Sequence, residues 1–409
     1  MIRQAVILCG GLGTRLGSLT HATPKPLLPV GGRPFLEILI GEVVRQGFND
    51  IVLLSGFCSD QVVRLVKESR FIASLKANIR VIVEPVPAGT GGALRYAEDI
   101  LASEFILMNG DSLFDIPLRL LCLELQRSPA LAGVLALREV AQPDRFGVVE
   151  VVDGVVQDFA DRAPGRSSGL INGGIYAMRR DAVLQLIADI CSLERDIFPA
   201  LVAERRIGAR AYDGFFLDIG IPDSYSEAQE SIPALIRRPA IFFDRDGVLN
   251  VDHGYVGTME RFDWIAGARS AVRSANDAGY LVFVVTNQAG VARGLYPETA
   301  VADLFDHMQM ELAEIGAHID DYRYCPHHSD GTIEQYRKAC DWRKPAPGMI
   351  LDLAEQWSVD MSGSVLIGDK QSDLDAAKAA GIDAHYFAGG ALDTLVHRLL
   401  EISTERGLV

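Results

Sequence analysis

The stretch AIFFDRDGVLN, residues 240–250, decides how this chain is to be divided. It is an apolar run of strand character that ends in two aspartates, Asp244 and Asp246, one residue apart. Residues two apart face alike in an extended chain, so the spacing predicts both carboxylates on one side of a strand end. One would attack phosphorus as a nucleophile; the other would protonate the leaving oxygen and later activate water. Two carboxylates alone repel phosphate, so the pair implies Mg²⁺ and at least one cation. Asp369, near the end of GSVLIGDK (363–370), is expected as a metal ligand beside Asp244 and Asp246. Lys344 in WRKPAPG supplies the cation, and Thr286 in FVVTNQ offers a hydroxyl and an N–H. Each follows an apolar strand, where open α/β sheets place their sites.

Upstream of this stretch stands a different chemistry. AVILCG (5–10) reads as a buried strand and runs into the glycines Gly10, Gly11 and Gly13, with Thr14 beside them. Glycines after a strand let backbone N–H groups approach phosphate without a Cβ in the way. Arg15 is placed to neutralise a departing phosphate, and Lys25, between two prolines, to reach the α-phosphate as a point charge. Further strands are expected at 50–56, 79–85 and 104–111, with a helix over 34–47, which implies a parallel sheet flanked by helices. GVVEVVDGVVQDF predicts a strand, a turn at Asp153-Gly154 and a second strand, within an antiparallel insertion over 133–180.

After residue 231 the pattern restarts, with strands at 240–247, 280–288, 363–370 and 383–389 and a helix within 297–316. The expected domains are 1–232 and 239–409, each with a Rossmann-like parallel sheet. The chain has 409 residues, enough for two full cores. Its net charge of −15 argues against nucleic acid or an anionic membrane as partner. Six cysteines lack disulfide-like spacing, the N-terminus lacks a signal-peptide core, and no apolar run approaches a span. A cytoplasmic location is the expectation; self-association is left open.

The first half resembles the sugar-1-phosphate nucleotidyltransferases, over most of residues 1–230. The motifs are LCGGLGTRLGSLTHATPKPLLPVGGRPF, EPVPAGTGGAL (84–94), NGDSLFD (109–115), INGGIY (171–176) and FLDIGIPDSY (216–225). That resemblance implies transfer of a nucleotide from a nucleoside triphosphate to a sugar 1-phosphate, with loss of pyrophosphate. It makes Asp111 and Asp218 the Mg²⁺ ligands and Asn172 a sugar contact. Glu84, Gly89 and Gly91 fall in the base-binding segment, where a carboxylate accepts the two donors on guanine's edge. GTGGAL and SLERDIFPAL (192–201) look most like the enzymes that make GDP-heptose. Two departures stand out. The Glu84–Gly89 spacing is longer by two residues, and FADRAPG (159–165) stands where the family usually has Glu-Lys-Pro, so Arg162 replaces the lysine that grips sugar phosphate.

The second half resembles the haloacid dehalogenase superfamily phosphatases over 240–390, and within them the heptose 1,7-bisphosphate 7-phosphatases. DRDGVLNVDHGYV (244–256), TNQAGVARGLY (286–296), CPHH (325–328), RKPAPGM (343–349) and GDKQSDLDAA (368–377) carry the likeness. It implies that Asn287 and Arg343 hold substrate and that Lys370 supports the metal and phosphate shell. It also implies a structural Zn²⁺ at Cys325, His327 and Cys340, although Trp342 stands at the fourth ligand position. Two readings remain: zinc completed by His328, Asp341 or water, or a loop held by Trp packing with ordinary thiols.

The two resemblances interlock. The phosphatase would make heptose 1-phosphate, and the transferase would use it with GTP to make GDP-heptose. An alternative keeps both folds and changes the substrates: mannose 1-phosphate beside another small phosphoester such as histidinol phosphate. A catalytically dead scaffold is a third reading, and the full set of carboxylates and lysines speaks against it.

Overall fold

In the computed structural model the described residues are all of 1–409 except 12, 142, 144–146, 161–166 and 406–409. The chain divides into two compact units, Ile2–Ala234 and Leu235–Val409.

The strands of the first unit begin with β1 (Gln4–Leu8), a short ribbon of β2 (Pro29–Val30) and β3 (Arg33–Pro34), β4 (Asp50–Ser55) and β5 (Asn78–Val83). They continue with β6 (Glu104–Asn109), β7 (Ser112–Phe114), β8 (Gly133–Ala141), β9 (Val148–Val152) and β10 (Val155–Ala160). β11 (Ser168–Arg179), β12 (Ile207–Tyr212) and β13 (Phe216–Asp218) complete the set. Nine of them form one sheet in the order β5-β4-β1-β6-β11-β8-β12-β10-β9. β5, β4, β1 and β6 are mutually parallel; the apolar runs of β4, β1 and β6 are buried as expected, whereas β5, the edge strand with Arg80 within it, is only half-buried. From β11 onward most pairings are antiparallel, so this sheet is mixed. The turn between β9 and β10 falls at Asp153 and Gly154, both at positive φ (49° and 75°), the primed-turn geometry that matches strand twist.

The second unit carries a five-stranded, all-parallel sheet. Its strands are β14 (Ala240–Phe243), β15 (Leu281–Asn287), β16 (Asp321–Cys325), β17 (Val365–Gly368) and β18 (Asp383–Tyr386), in the order β16-β15-β14-β17-β18. Alternation sorts its side chains into two cores. Ile241, Phe243, Val282 and Val284 pack on one face with the helices Ala268–Asp277 and Thr299–Ala313. Ala240, Phe242, Leu281 and Phe283 pack on the other with Gly348–Trp357 and Gln371–Ala380. Strand β16 was not expected from sequence: DYRYC alternates charged and aromatic residues and has no apolar run. Its charges are matched only in three dimensions, where Arg323 pairs with Asp321 and Asp352. Among the described residues no helix is long and apolar enough to cross a membrane.

Candidate functional sites

The first site is a cleft of about 270 Å³ at the C-terminal ends of β1 and β6. Gly10, Gly11, Lys25, Glu84, Gly89, Asn109 and Asp111 are among its lining residues. Gly13 sits in the left-handed region (φ 61°) and turns the loop into a short helix that starts at Thr14. A Cβ on Gly10 would lie 2.6 Å from the Glu84 carboxylate, so the loop and the acid face each other at close range. Burial raises the Glu84 pKa, and the Ala88 N–H counters it. Despite the longer spacing before Gly89, Glu84 therefore stands in the cleft.

Asp111 and Asp218 are far apart in sequence and meet through a separate ribbon. β7 and β13 pair antiparallel with Asp218 opposite Ser112, and the Ile219 N–H donates to the Asp111 carbonyl. Both carboxylates converge on the buried Lys25 ammonium, at 2.6 Å from Asp111 and 3.4 Å from Asp218. Gly220 keeps this knot open: a Cβ there would lie 2.6 Å from Asp218, 2.7 Å from Lys25 and 3.1 Å from Arg15. Two converging hard oxygen donors suit Mg²⁺. Arg15, Lys25, Asp111 and Asp218 thus form one cluster.

Other expectations for this half need adjustment. Gly91 does not line the cleft; it is buried against Cys191, whose sulfur would lie 2.8 Å from a Cβ there, while its N–H donates to the Cys191 carbonyl. The Asn172 side chain is occupied locally, donating to the Tyr176 hydroxyl and accepting from the Gly174 N–H. Arg162 lies outside the described residues. Glu194 was not singled out from sequence, yet it lines the cleft, held by the hydroxyls of Thr90 and Ser192.

The second site lies at the C-terminal ends of β14, β15 and β17. Asp244, Asp369 and Asp373 bring carboxylate oxygens within 4.8 Å of one another. Lys344, 4% exposed, lies 2.8 Å from Asp244 and 2.6 Å from Asp373 and donates to the Val285 carbonyl. Burial alone would lower the Lys344 pKa; Asp244 and Asp373 outweigh it and raise it. Asp369 is pushed up to about 6, by burial first and then by its two carboxylate neighbours, with Lys370 opposing. Its Oδ1 is buried without a hydrogen-bond partner among the described residues. An orphaned carboxylate oxygen beside two further carboxylates fits a hard divalent cation. Gly247 (φ 95°) leaves the room: a Cβ there would lie 2.2 Å from Asp369.

Asp246 departs from expectation. β14 ends at Phe243, and the chain then turns, with the Val248 and Asn250 N–H groups returning to the Arg245 carbonyl. The two-residue alternation no longer applies, and the Asp246 carboxylate goes to Arg245, Asn250 and Gln288 instead of the carboxylate cluster. Asp373, not Asp246, stands with Asp244 and Asp369 in the carboxylate cluster, where it also pairs with Lys344. Its sequence signal was the spacing to Asp369, four residues across the start of a helix, where its carboxylate also accepts the Lys370 N–H.

Thr286 is buried at the end of β15. Asn287 spends both ends of its amide on the Lys344 backbone, so it holds the lysine loop. Arg343 donates to the His327 carbonyl. Lys370 reaches Asp252 in the DHGYV loop at 3.2 Å and Asp369 at 3.8 Å. Cys325, His327 and Cys340 bring their ligand atoms within 4.8 Å of one another. Burial pushes the Cys325 thiol up to about 12, and the Cys340 sulfur adds to the rise. The soft donor set and its closeness fit a zinc-type ion.

A nucleotidyl transferase family model matches residues 4–234, and a HAD-hydrolase-like model matches 341–399. The chain therefore belongs to the nucleotidyl transferase family, with a haloacid dehalogenase-like phosphatase as its C-terminal part. Within that class its relatives are specific. The D-glycero-beta-D-manno-heptose-1,7-bisphosphate 7-phosphatase of Rhodopseudomonas palustris is 54% identical over 173 residues, 42% of this chain and 96% of that protein. The phosphatase of the same name from Escherichia coli K12 is 44% identical over 144 residues, 35% of this chain and 75% of that protein. The crystal structure of HddC from Yersinia pseudotuberculosis is 29% identical, with a TM-score of 0.50, over 56% of this chain and 100% of that one. HddC has also been solved in complex with GMP-PN.

Proposed function

We propose that the chain carries two consecutive enzymes of nucleotide-activated heptose synthesis, in domains 1–232 and 239–409. The C-terminal site removes the 7-phosphate of D-glycero-D-manno-heptose 1,7-bisphosphate, and the N-terminal site joins GMP from GTP to the heptose 1-phosphate that results. The observation that carries this reading is the pairing in one chain of a near-complete heptose-bisphosphate phosphatase relative with an HddC-like transferase unit.

In the phosphatase, Asp244 attacks the 7-phosphorus while Lys344 offsets its charge. The bond from phosphorus to the C7 oxygen breaks, and Asp246 gives that oxygen its proton. Water then attacks the aspartyl phosphate, Asp246 takes a proton from the water, and inorganic phosphate leaves. Asp244, Asp369 and Asp373 would hold Mg²⁺, which spreads phosphoryl charge when bound. In the transferase, the sugar phosphate oxygen attacks the α-phosphorus in line, and the chain's task is positioning. Asp111 and Asp218 would hold Mg²⁺, freeing Lys25 to reach phosphate. Glu84 would accept from the guanine edge, and the INGGIY turn that carries Asn172 would meet the sugar. We also infer a Zn²⁺ at Cys325, His327 and Cys340; metal analysis of the purified protein should give close to one zinc per chain, lost in Cys340→Ser.

The test is direct. Protein, Mg²⁺, GTP and the bisphosphate should yield phosphate, pyrophosphate and GDP-heptose. Absence of phosphate release from the bisphosphate would sink the phosphatase half; preference for another triphosphate in a nucleotide panel would sink the guanylyl assignment.

A further inference from the structure

Asp246 is held by a buried polar frame to which the scheme above gives no part. Arg245 is fully buried, and its guanidinium donates to Asp246 at 3.0 Å, to the Val256 carbonyl at 2.6 Å and to Gln288 at 3.1 Å. Asn250, also fully buried, donates to Asp246 at 3.0 Å. Gln288 is the hub. Its oxygen accepts from Arg245 and from the Tyr296 hydroxyl, the latter at 2.7 Å. Its nitrogen donates to Asp246 and to the Thr286 hydroxyl, each at 2.9 Å.

Chemistry fixes the amide's orientation. Arginine only donates, so a flipped amide would set its NH2 against the Arg245 guanidinium, donor against donor. Tyr296 is fixed in turn. A Cβ on Gly257 or on Gly290 would lie 2.2 or 2.3 Å from its ring, so the ring lies directly on two glycine backbones. A buried network with this many partners rigidifies its members. Gln288 is 1% exposed, yet it bonds both the proposed proton donor and the Thr286 hydroxyl at the end of β15.

We propose that Gln288, clamped by Tyr296 and Arg245, is a positioning residue that holds the Asp246 carboxyl in place for proton transfer to the leaving oxygen. This rests on Asp246 as the proton donor. In the first step the Asp244 oxygen bonds phosphorus, the bond to the C7 oxygen breaks with its electron pair, and that oxygen takes the proton from Asp246. An alkoxide needs that proton; p-nitrophenolate or acetate does not. Loss of Gln288 should therefore fall selectively on the alkyl phosphate.

The experiment measures the first turnover of the full-length, Mg²⁺-loaded protein on heptose 1,7-bisphosphate and on p-nitrophenyl or acetyl phosphate. Gln288→Glu keeps the acceptor for Tyr296 and Arg245 but removes the donor. Its rate should fall at least about tenfold further on the bisphosphate than on the activated phosphates, within the usual range for general acid catalysis. Tyr296→Phe, which leaves the ring on its glycines, should show a smaller split in the same direction and decides the matter if Gln288→Glu does not fold. Equal losses on both substrate types, or no loss, overturn the proposal. A wild-type protein that hydrolyses none of these phosphates would overturn the phosphatase reading itself, a distinct result.

Discussion

At the scale of single residues, the two sites are separable by one atom pair each. Asp244→Asn removes the nucleophile; phosphate release should fall below detection while pyrophosphate release from GTP and supplied heptose 1-phosphate stays at the wild-type rate. Asp111→Asn should do the reverse, read by the same two assays. Lys344 makes a different kind of prediction. It is a buried cation between Asp244 and Asp373. Lys344→Met leaves those carboxylates uncompensated, which costs about 3–5 kcal/mol. Thermal unfolding should show a large drop without Mg²⁺ and a smaller one with it, since the bound ion replaces part of the missing charge. Residue identity pointed to Asp244 and Asp369, carboxylates after apolar strands, and to Lys344, a loop lysine able to balance their charge. It did not separate Asp246 from Asp373. Both are aspartates near a strand end; the turn after Phe243 sends Asp246 to Arg245, and the first turn of the helix Gln371–Ala380 puts Asp373 beside Asp244 and Asp369.

At the scale of elements, the transferase cleft depends on contacts that no single motif contains. The GTGG turn is pinned by a distant segment, with the Gly91 and Gly92 N–H groups on the Cys191 carbonyl and the Cys191 N–H on Ala88. Gly89 has φ 79°, and a Cβ there would lie 2.4 Å from that carbonyl. Gly89→Ala meets rigid backbone, so it should destabilise the unit by about 1–3 kcal/mol, as overpacking does. Weaker GTP binding, measured by calorimetry, should accompany the lower melting temperature. The β7–β13 ribbon is the other such element. Its strands are three residues each, too short to announce themselves by periodicity, yet they bring Asp111 and Asp218 to one ammonium. Phe114 packs edge-on against Phe216 within the ribbon, which helps explain why such a short pairing persists.

For the whole molecule, the order of events is set by chemistry and not by chain order. Asp244→Asn supplied with the bisphosphate and GTP should give no nucleotide sugar, and should recover full transfer when heptose 1-phosphate is added. Hydrolysis at C7 leaves the C1–O bond untouched, so the anomer that enters is the anomer handed on. The phosphatase relatives carry the beta form in their name; parallel assays with both anomers of the bisphosphate and of the 1-phosphate should show one shared preference. A mismatch would mean that the two sites do not serve one sequence of reactions. Chelation with EDTA should stop both activities, and Mg²⁺ should restore both.

Sequence by itself determined the two α/β units and their parallel cores, because apolar runs that must be buried on both faces leave few other folds. The chemical class of each half was legible through its ordered motifs and the families that those motifs resemble. Tertiary structure alone decided which side chains meet. It exchanged Asp246 for Asp373 at the carboxylate cluster, turned Asn287 into a support for Lys344, moved Gly91 from the cleft to Cys191 and brought Glu194 to the cleft. These are matters of direction, set by where a strand stops and how the following turn points each side chain, and a linear spacing carries that information only while the strand lasts.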